Sequence, residues 1–299
     1  MMLAPTLQKR WDWRAAGNFI CGGSGSGLMI MAALLTLIGL HASGYALLAS
    51  ALVATGLGLV WLEIGRPLRS MNVFRNPRRS WMTREGLVAT VLLPLGVLAF
   101  LSESTALSIP LLIMAAVAAA LFLYAQARIL HMAKGIPAWR TDAINPLIVS
   151  TGLTEGMGIV LIFAGLVQGN VAALFSGYGW ILALALVFLR GAAWINYRYS
   201  LANNAPEATL QVLDRAHSVI ALLGVAAPIV LLFLGKSYPA YQLPLAAAAG
   251  FFMVLCGWFC KYQIILHAAY SQGYAISHTP ARGGGKPGPG LKPGWRLPQ

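Results

Sequence analysis

Acidic side chains are nearly missing from this sequence: eight Asp and Glu stand among 299 residues, against 21 Lys and Arg. All charged residues together make up 10% of the chain, where a soluble domain carries about 25%. So little charge cannot cover a water-facing surface, which excludes an ordinary soluble globular protein and leaves lipid as the main solvent. Cysteine is also scarce. Cys21, Cys256 and Cys260 all lie in apolar runs, and an odd count with no exposed pair argues against a disulfide framework. Cys256 and Cys260 stand one helical turn apart as small apolar packing residues. No Cys/His spacing fits a metal site. No cleavable leader is expected either, because the first long apolar run is followed at once by a second and reads as a span.

What is present is apolar: 58% of the residues are hydrophobic. They fall into about eight runs, at 18–41, 44–65, 85–102, 106–131, 145–168, 171–195, 216–236 and 242–267. Each reaches the ~17–25 residues that a spanning helix needs. The fold class expected is an all-α integral membrane protein, a bundle of about eight transmembrane helices with both termini on one side. Three segments divide the chain: a basic interfacial stretch over 1–17, the membrane domain over 18–271 and a Gly/Pro/basic tail over 272–299. The first carries Trp11 and Trp13 among Lys9, Arg10 and Arg14, an interfacial anchor pattern. The tail has too little apolar content to fold alone, so disorder without a partner is expected.

The net charge of +13 would raise nucleic-acid binding in a soluble protein. Here the basic residues occupy the gaps between apolar runs, and the positive-inside bias of membrane loops accounts for them; no nucleic-acid partner is expected. With eight spans, one face collects residues 1–17, 66–84, 132–144, 196–215 and the tail. Counting Arg190 as near it, that face holds every Lys and Arg except Lys236. Both termini are therefore expected in the cytoplasm, the membrane being a bacterial cytoplasmic (inner) membrane contacted by lipid all round.

Glycine clusters at Gly22-Gly23-Ser24-Gly25-Ser26-Gly27. No strand precedes the cluster, so a dinucleotide loop is a poor reading. Gly23 and Gly27, four apart, allow close helix packing instead.

Ionisable residues inside spans are costly in lipid and mark candidate sites. Glu63 ends the second span one turn before Arg66. It reads either as half of an interfacial ion pair or as a proton donor and acceptor beside a head-group pocket. Glu155 stands ten residues into the fifth span, about 15 Å deep at 1.5 Å per residue. A carboxylate there would be neutral or paired, and Arg190 of the sixth span is the expected partner. The pair either fixes helix packing or belongs to a proton route. In the loop from Arg78 to Glu85, Ser80 or Thr83 suits a helix cap and Glu85 suits the positive helix N-terminus. Its arginines could also receive an acidic partner or lipid head groups. Histidines bear on haem. His131, His217 and His267 all fall near one face and His41 alone near the other, which excludes a transmembrane two-haem stack.

The run Trp61-Leu62-Glu63-Ile64-Gly65-Arg66-Pro67-Leu68-Arg69, then Asn76-Pro77 and Ser80-Trp81-Met82-Thr83-Arg84-Glu85, resembles a known family. So does Gly135-Ile136-Pro137-Ala138-Trp139 leading into Asn145-Pro146-Leu147. Both are similar to the membrane anchor subunits of molybdopterin oxidoreductases, the dimethyl sulfoxide reductase anchor and NrfD/polysulfide reductase group. The likeness runs over most of the chain, with its specific motifs in these two loops. It implies a subunit that binds a quinone, menaquinone or ubiquinone, and carries no haem. It also implies two partners, an iron–sulfur electron-transfer subunit and a molybdopterin catalytic subunit, which hold the clusters and the molybdenum. Glu63, Arg66 and Arg84 are then the expected quinone pocket. Glu155 and Arg190 would serve proton transfer or support the pocket, and Arg75, Arg78, Arg79, Trp81, Trp139 and Arg140 would dock the partner.

Two departures bear on this. Dimethyl sulfoxide reductase anchors often have His, a residue tied to quinol binding, at the place of Glu63; a carboxylate can still exchange a proton, from an unperturbed pKa of about 4.3 against about 6.5 for His. Typical relatives dock their soluble arm outside the cytoplasmic membrane, whereas the basic face here is expected inside. In that, and in the opening Trp11-Asp12-Trp13-Arg14-Ala15-Ala16-Gly17-Asn18, the chain resembles cytoplasm-facing sulfite:quinone and phenylacetyl-CoA:quinone oxidoreductase anchors. Two other readings remain: a secondary transporter built on Glu155 and Arg190, although no internal repeat of the kind such folds carry is seen, and a passive scaffold without a quinone site.

Overall fold

A computed structural model describes residues 4–40, 42, 44–63, 72–167, 171–276, 278, 281, 283 and 286–295. Among them, eight helical spans are long and apolar enough to cross a membrane, and no strand forms beyond isolated bridges. The chain is an all-α, multi-pass membrane bundle, and the even number of spans returns both termini to one face, called here the terminal face.

The first span is α1 (Trp13–Leu37). Asp12 caps it, its carboxylate accepting the Arg14 backbone N–H at 2.8 Å, which satisfies a donor that the first turn leaves free. Then come α2 (Gly44–Glu63), α3 (Trp81–Leu101) and α4 (Ser108–His131). Ser80 caps α3, accepting from the Thr83 N–H at 3.3 Å. Glu85, expected as a charge at that N-terminus, lies one turn further on and points inward, 5% exposed. The third span therefore starts at Trp81, four residues before the expected boundary.

A one-turn helix, α5 (Pro137–Arg140), sits in the next connection. The fifth span is α6 (Ile144–Val167). The sixth differs from the sequence reading. A short helix α7 (Val171–Ser176) stops at Ser176-Gly177, and the span itself is α8 (Gly179–Leu201). Apolar continuity across 171–195 hid this break. Its consequence is that Arg190 falls in the middle of its span and not near the terminal face.

The seventh span also starts earlier than expected. The stretch read as polar loop contains α9 (Glu207–Val219), which runs through a π-helical segment (Ile220–Ala226) into α10 (Ala227–Ser237). Leu210, Leu213 and Ala216 are buried on one face of α9, while Asp214 pairs with Arg198 of α8 on the other. The eighth span is α11 (Gln242–Tyr262), extended by a second π segment (Gln263–His267).

Two helices are central. In α1 and α6 the most apolar stretch is 67% and 78% buried inside the protein, against 28% in α3. They touch along small residues: a Cβ on Gly27 would run into the Gly152 carbonyl, and one on Gly156 into the Gly27 backbone. The close approach expected of Gly27 is therefore made against α6, where dispersion contacts and not hydrophobicity hold helices together.

The N-terminal segment is tied back to the end of the eighth span, Gln8 N–H donating to Ala269 O at 3.0 Å and Ser271 N–H to Thr6 O at 2.8 Å. Described parts of the tail also return to the terminal face: Glu207 N–H donates to Gly294 O at 2.8 Å, and the Trp295 indole to Gln272 O at 3.2 Å. On the opposite face Lys236 donates to Phe175 O at 2.8 Å.

Candidate functional site

Near the terminal face α2 and α3 diverge and leave an apolar cavity of about 600 Å³. Leu57, Val60 and Trp61 of α2, Met82 and Leu93 of α3 and Phe74 of the preceding loop line it. Trp61 and Met82 are 48% and 43% exposed, so the mouth looks sideways, where lipid lies. Among the described residues, one ionisable group lines this cavity, the carboxyl of Glu85. Apolar walls with a few polar groups, here Glu85 and Thr90, are the usual make-up of a small-molecule site.

Glu85 is held from behind. Asn18 of α1 donates to its Oε1 at 3.3 Å, and Gln126 of α4 also interacts with it. Gln126 in turn donates to the Asn18 backbone carbonyl at 3.1 Å. Asn18 Oδ1 and Gln126 Oε1 are buried acceptors with no partner among the described residues.

Deeper in the bundle lies a second polar centre. Lys261 of α11 places its Nζ 2.6 Å from Glu155 Oε2 of α6, both side chains being fully buried. Ser24 of α1 donates to the same oxygen at 2.8 Å, and the Trp258 indole N–H donates to Ser24 Oγ at 2.9 Å. Glycines make the room: a Cβ on Gly257 would stand 2.5 Å from Glu155 Oε1, and one on Gly23 would meet the Lys261 ammonium.

Glu155 is thus paired, but not with Arg190. The Arg190 guanidinium donates to Met253 O at 2.7 Å and to Gly224 O. Gly224 lies in the π segment, where the shifted hydrogen-bond pattern leaves carbonyls for other donors. Arg190 is a mid-span cation held by two backbone carbonyls, its Nε finding no partner among the described residues.

Of the expected quinone residues, Glu63 lines a small cavity of about 40 Å³ that it shares with Glu85, Asn18 and Trp11, beside the larger one. Arg66 lies outside the described residues. Arg84 does not line the cavity: it donates to Pro77 O at 2.8 Å and Arg78 O at 2.9 Å and lies 4.1 Å over the Trp81 ring.

Of the expected docking residues, Arg75, Arg78 and Arg79 are exposed in one loop. Trp81 is half-buried, edge-on to Tyr124. Arg140 reaches back to Gln272. Trp139 is a correction: it is 3% exposed, its indole donates to Ile264 O at 2.9 Å and it stacks on Trp11 at 4.8 Å. A ring packed under the N-terminal segment ties that segment down and offers no docking surface.

The histidines are engaged locally. His131 is buried beside Asp142 and Asn145, His217 Nδ1 accepts from the Trp194 indole at 3.1 Å, and His267 packs on Tyr262; His41 lies outside the described residues. No cluster of three metal-ligating side chains occurs among the described residues.

Sequence reasoning missed Asn18, Gln126, Ser24 and Lys261, and gave Glu85 only a capping role. A signal was available, since each is polar or charged within an apolar span. The sequence places Lys261 only among the basic residues of the terminal face, and which face of α11 it occupies depends on packing.

No family model matches the chain, and no curated protein matches it.

Proposed function

We propose that this chain is the membrane anchor and quinone-reactive subunit of a molybdenum/iron–sulfur oxidoreductase. The observation that carries the reading is the apolar cavity between α2 and α3, whose single ionisable group among the described residues is Glu85. A quinone has a flat head, an apolar tail and two oxygens that take up or lose protons with electrons. A cavity opening toward lipid admits the tail, and the carboxyl can exchange a proton with an oxygen of the head. Glu85 is the fifth residue of α3, within about 6 Å of its start at 1.5 Å per residue, so the head would sit close to the terminal face. Exposed Arg75, Arg78 and Arg79 on that face supply the positive surface for an iron–sulfur subunit, which would relay electrons to or from a molybdopterin catalytic subunit. Glu63, beside Glu85, would assist proton exchange. The basic face is taken as cytoplasmic, in a bacterial inner membrane. Trp61, Met82 and Glu85, which belong to the first of the motifs resembling such anchors, line this cavity.

Purification of the tagged protein in mild detergent, with mass spectrometry, metal analysis and quinone extraction, tests this. Co-purifying molybdenum and iron–sulfur subunits with bound quinone are expected. A protein that comes out alone, without metals or quinone, overturns the reading.

The fully buried Glu155–Lys261 pair favours a second reading, a secondary transporter, since intramembrane ion pairs also mark ion pathways. Substrate-driven proton flux into vesicles holding the chain alone would decide for it.

A further inference from the structure

The two polar centres stand back to back across the Gly22–Gly23 backbone of α1. A Cβ on Gly22 would be 2.5 Å from Gln126 Nε2, and one on Gly23 would meet both the Lys261 ammonium and, at 3.6 Å, Gln126 Oε1. The Gln126 carboxamide and the Lys261 ammonium therefore flank one point on the helix surface, close enough for a single hydrogen-bonded water to bridge them. Three fully or nearly fully buried acceptors along this line, Asn18 Oδ1, Gln126 Oε1 and Glu155 Oε1, have no donor among the described residues. The line descends from the fifth residue of α3 to the twelfth residue of α6, about 15 Å into the bilayer at 1.5 Å per residue. Stability does not call for such a pair, because apolar replacement of a buried ion pair is often neutral or stabilising.

We propose that Lys261 and Glu155 form a proton relay that recharges Glu85, the proton moving through water held by the orphan acceptors Asn18 Oδ1, Gln126 Oε1 and Glu155 Oε1. The inference rests on the quinone reading of the cavity. Reduction of a quinone takes two electrons, supplied by the reduced iron–sulfur partner, and two protons. The Glu85 acid gives its proton to a quinone oxygen as the O–H bond forms, and is left as a carboxylate. The Lys261 ammonium then passes a proton toward Glu85 and becomes a neutral amine beside the Glu155 carboxylate. Because neither side chain of the pair is exposed, the proton that restores the ammonium enters the bundle with water. The sequence runs twice per quinone, and in reverse for quinol oxidation. Glu155 holds the lysine in place and stabilises its charged form; Ser24 and Trp258 fix the carboxylate.

The test uses the complex purified with its partners. Quinone reduction is measured at saturating quinone, in water and in deuterium oxide, alongside the affinity for a quinone analogue. The variants are Glu155→Gln/Lys261→Met, which removes both charges together, and Ser24→Ala, which keeps both and guards against misfolding of the first. In the double variant kcat should fall roughly 10²-fold, the low end of what positioned proton transfer contributes. Analogue affinity should be unchanged and the solvent isotope effect larger. Ser24→Ala should show the same pattern, weaker. Unchanged kcat and isotope effect in a folded double variant, or in Ser24→Ala should the double variant not fold, overturn the relay. Glu85→Gln separates the two ideas. If it lowers turnover while the relay variants do not, the relay fails and the quinone site stands. If no quinone analogue binds the unmodified complex, the quinone reading itself fails.

Discussion

Lys261 and Glu155 meet at 2.6 Å in the middle of the bundle, from helices that are far apart in sequence. Neither side chain touches solvent, and the Ser24 hydroxyl closes the carboxylate from a third helix. Each is the other's direct ion-pair partner, with Arg190 acting on Glu155 only from a distance, so the pair responds to mutation largely as a unit.

Removing one charge should therefore cost far more than removing both. Lys261→Met strands a buried carboxylate, and loss of one member of a buried pair costs about 3–5 kcal/mol. Glu155→Gln/Lys261→Met should recover most of that. Thermal unfolding in detergent checks this: a double variant no more stable than the single one would show that the two charges do not depend on each other.

Close packing of α1 against α6 sets a second expectation. Gly27→Leu drives a side chain into the Gly152 carbonyl, and overpacking of this kind costs about 1–3 kcal/mol or more. Gly135→Ala, at a glycine with nothing within 4 Å of its Cβ position, is the matched control and should leave Tm unchanged. Equal Tm values for both would mean that the helices do not cross at Gly27.

Within the cavity, Glu85 and its neighbours should separate cleanly. Glu85→Gln should lower quinone turnover by about 10²-fold, the scale of a positioned acid or base. Glu63→Gln, on the small adjoining cavity, should lower it less. Arg84→Ala removes bonds to the Pro77 and Arg78 carbonyls and should loosen the loop while leaving analogue affinity intact. Turnover assays and fluorescence titration with a quinone analogue on the three variants are the measurements, and an Arg84 effect larger than that of Glu85 would return the site to the loop arginines.

Asp12 offers a pH signature outside the membrane. Hydrogen bonds from the Arg14 side chain and backbone hold its carboxyl below the ordinary value of 3.8. A depressed folded pKa adds stability above the unfolded value, and that stability is lost as pH falls through the folded one. Asp12→Asn should therefore lower Tm at neutral pH, and the difference from the unmodified protein should vanish as pH drops below the ordinary carboxylate range. A gap that persists unchanged into strong acid would assign the effect to capping geometry and not to charge.

The sequence by itself determined the class, the number of spans and the common face of the termini. Those follow from a scarcity of charge and from runs of apolar residues, and lipid leaves such runs no other way to satisfy their backbones than to form helices. It also marked Glu63, Glu155 and Arg190 as groups that lipid makes costly, and Gly27 as a packing residue. Only the tertiary structure decided which charges meet. A hydropathy run has no phase, so it could not tell that Glu85 turns inward, that Trp139 is buried under the N-terminal segment or that Lys261 faces Glu155. A one-residue rotation moves a side chain by 100° around its helix, and the choice of face is made by contacts with other helices. The break at Ser176-Gly177 worked in the same way: it changed little in apolar content, but it moved the start of the sixth span by eight residues, to Gly179. That set Arg190 in mid-bilayer against the carbonyls of a π segment and left Glu155 to Lys261.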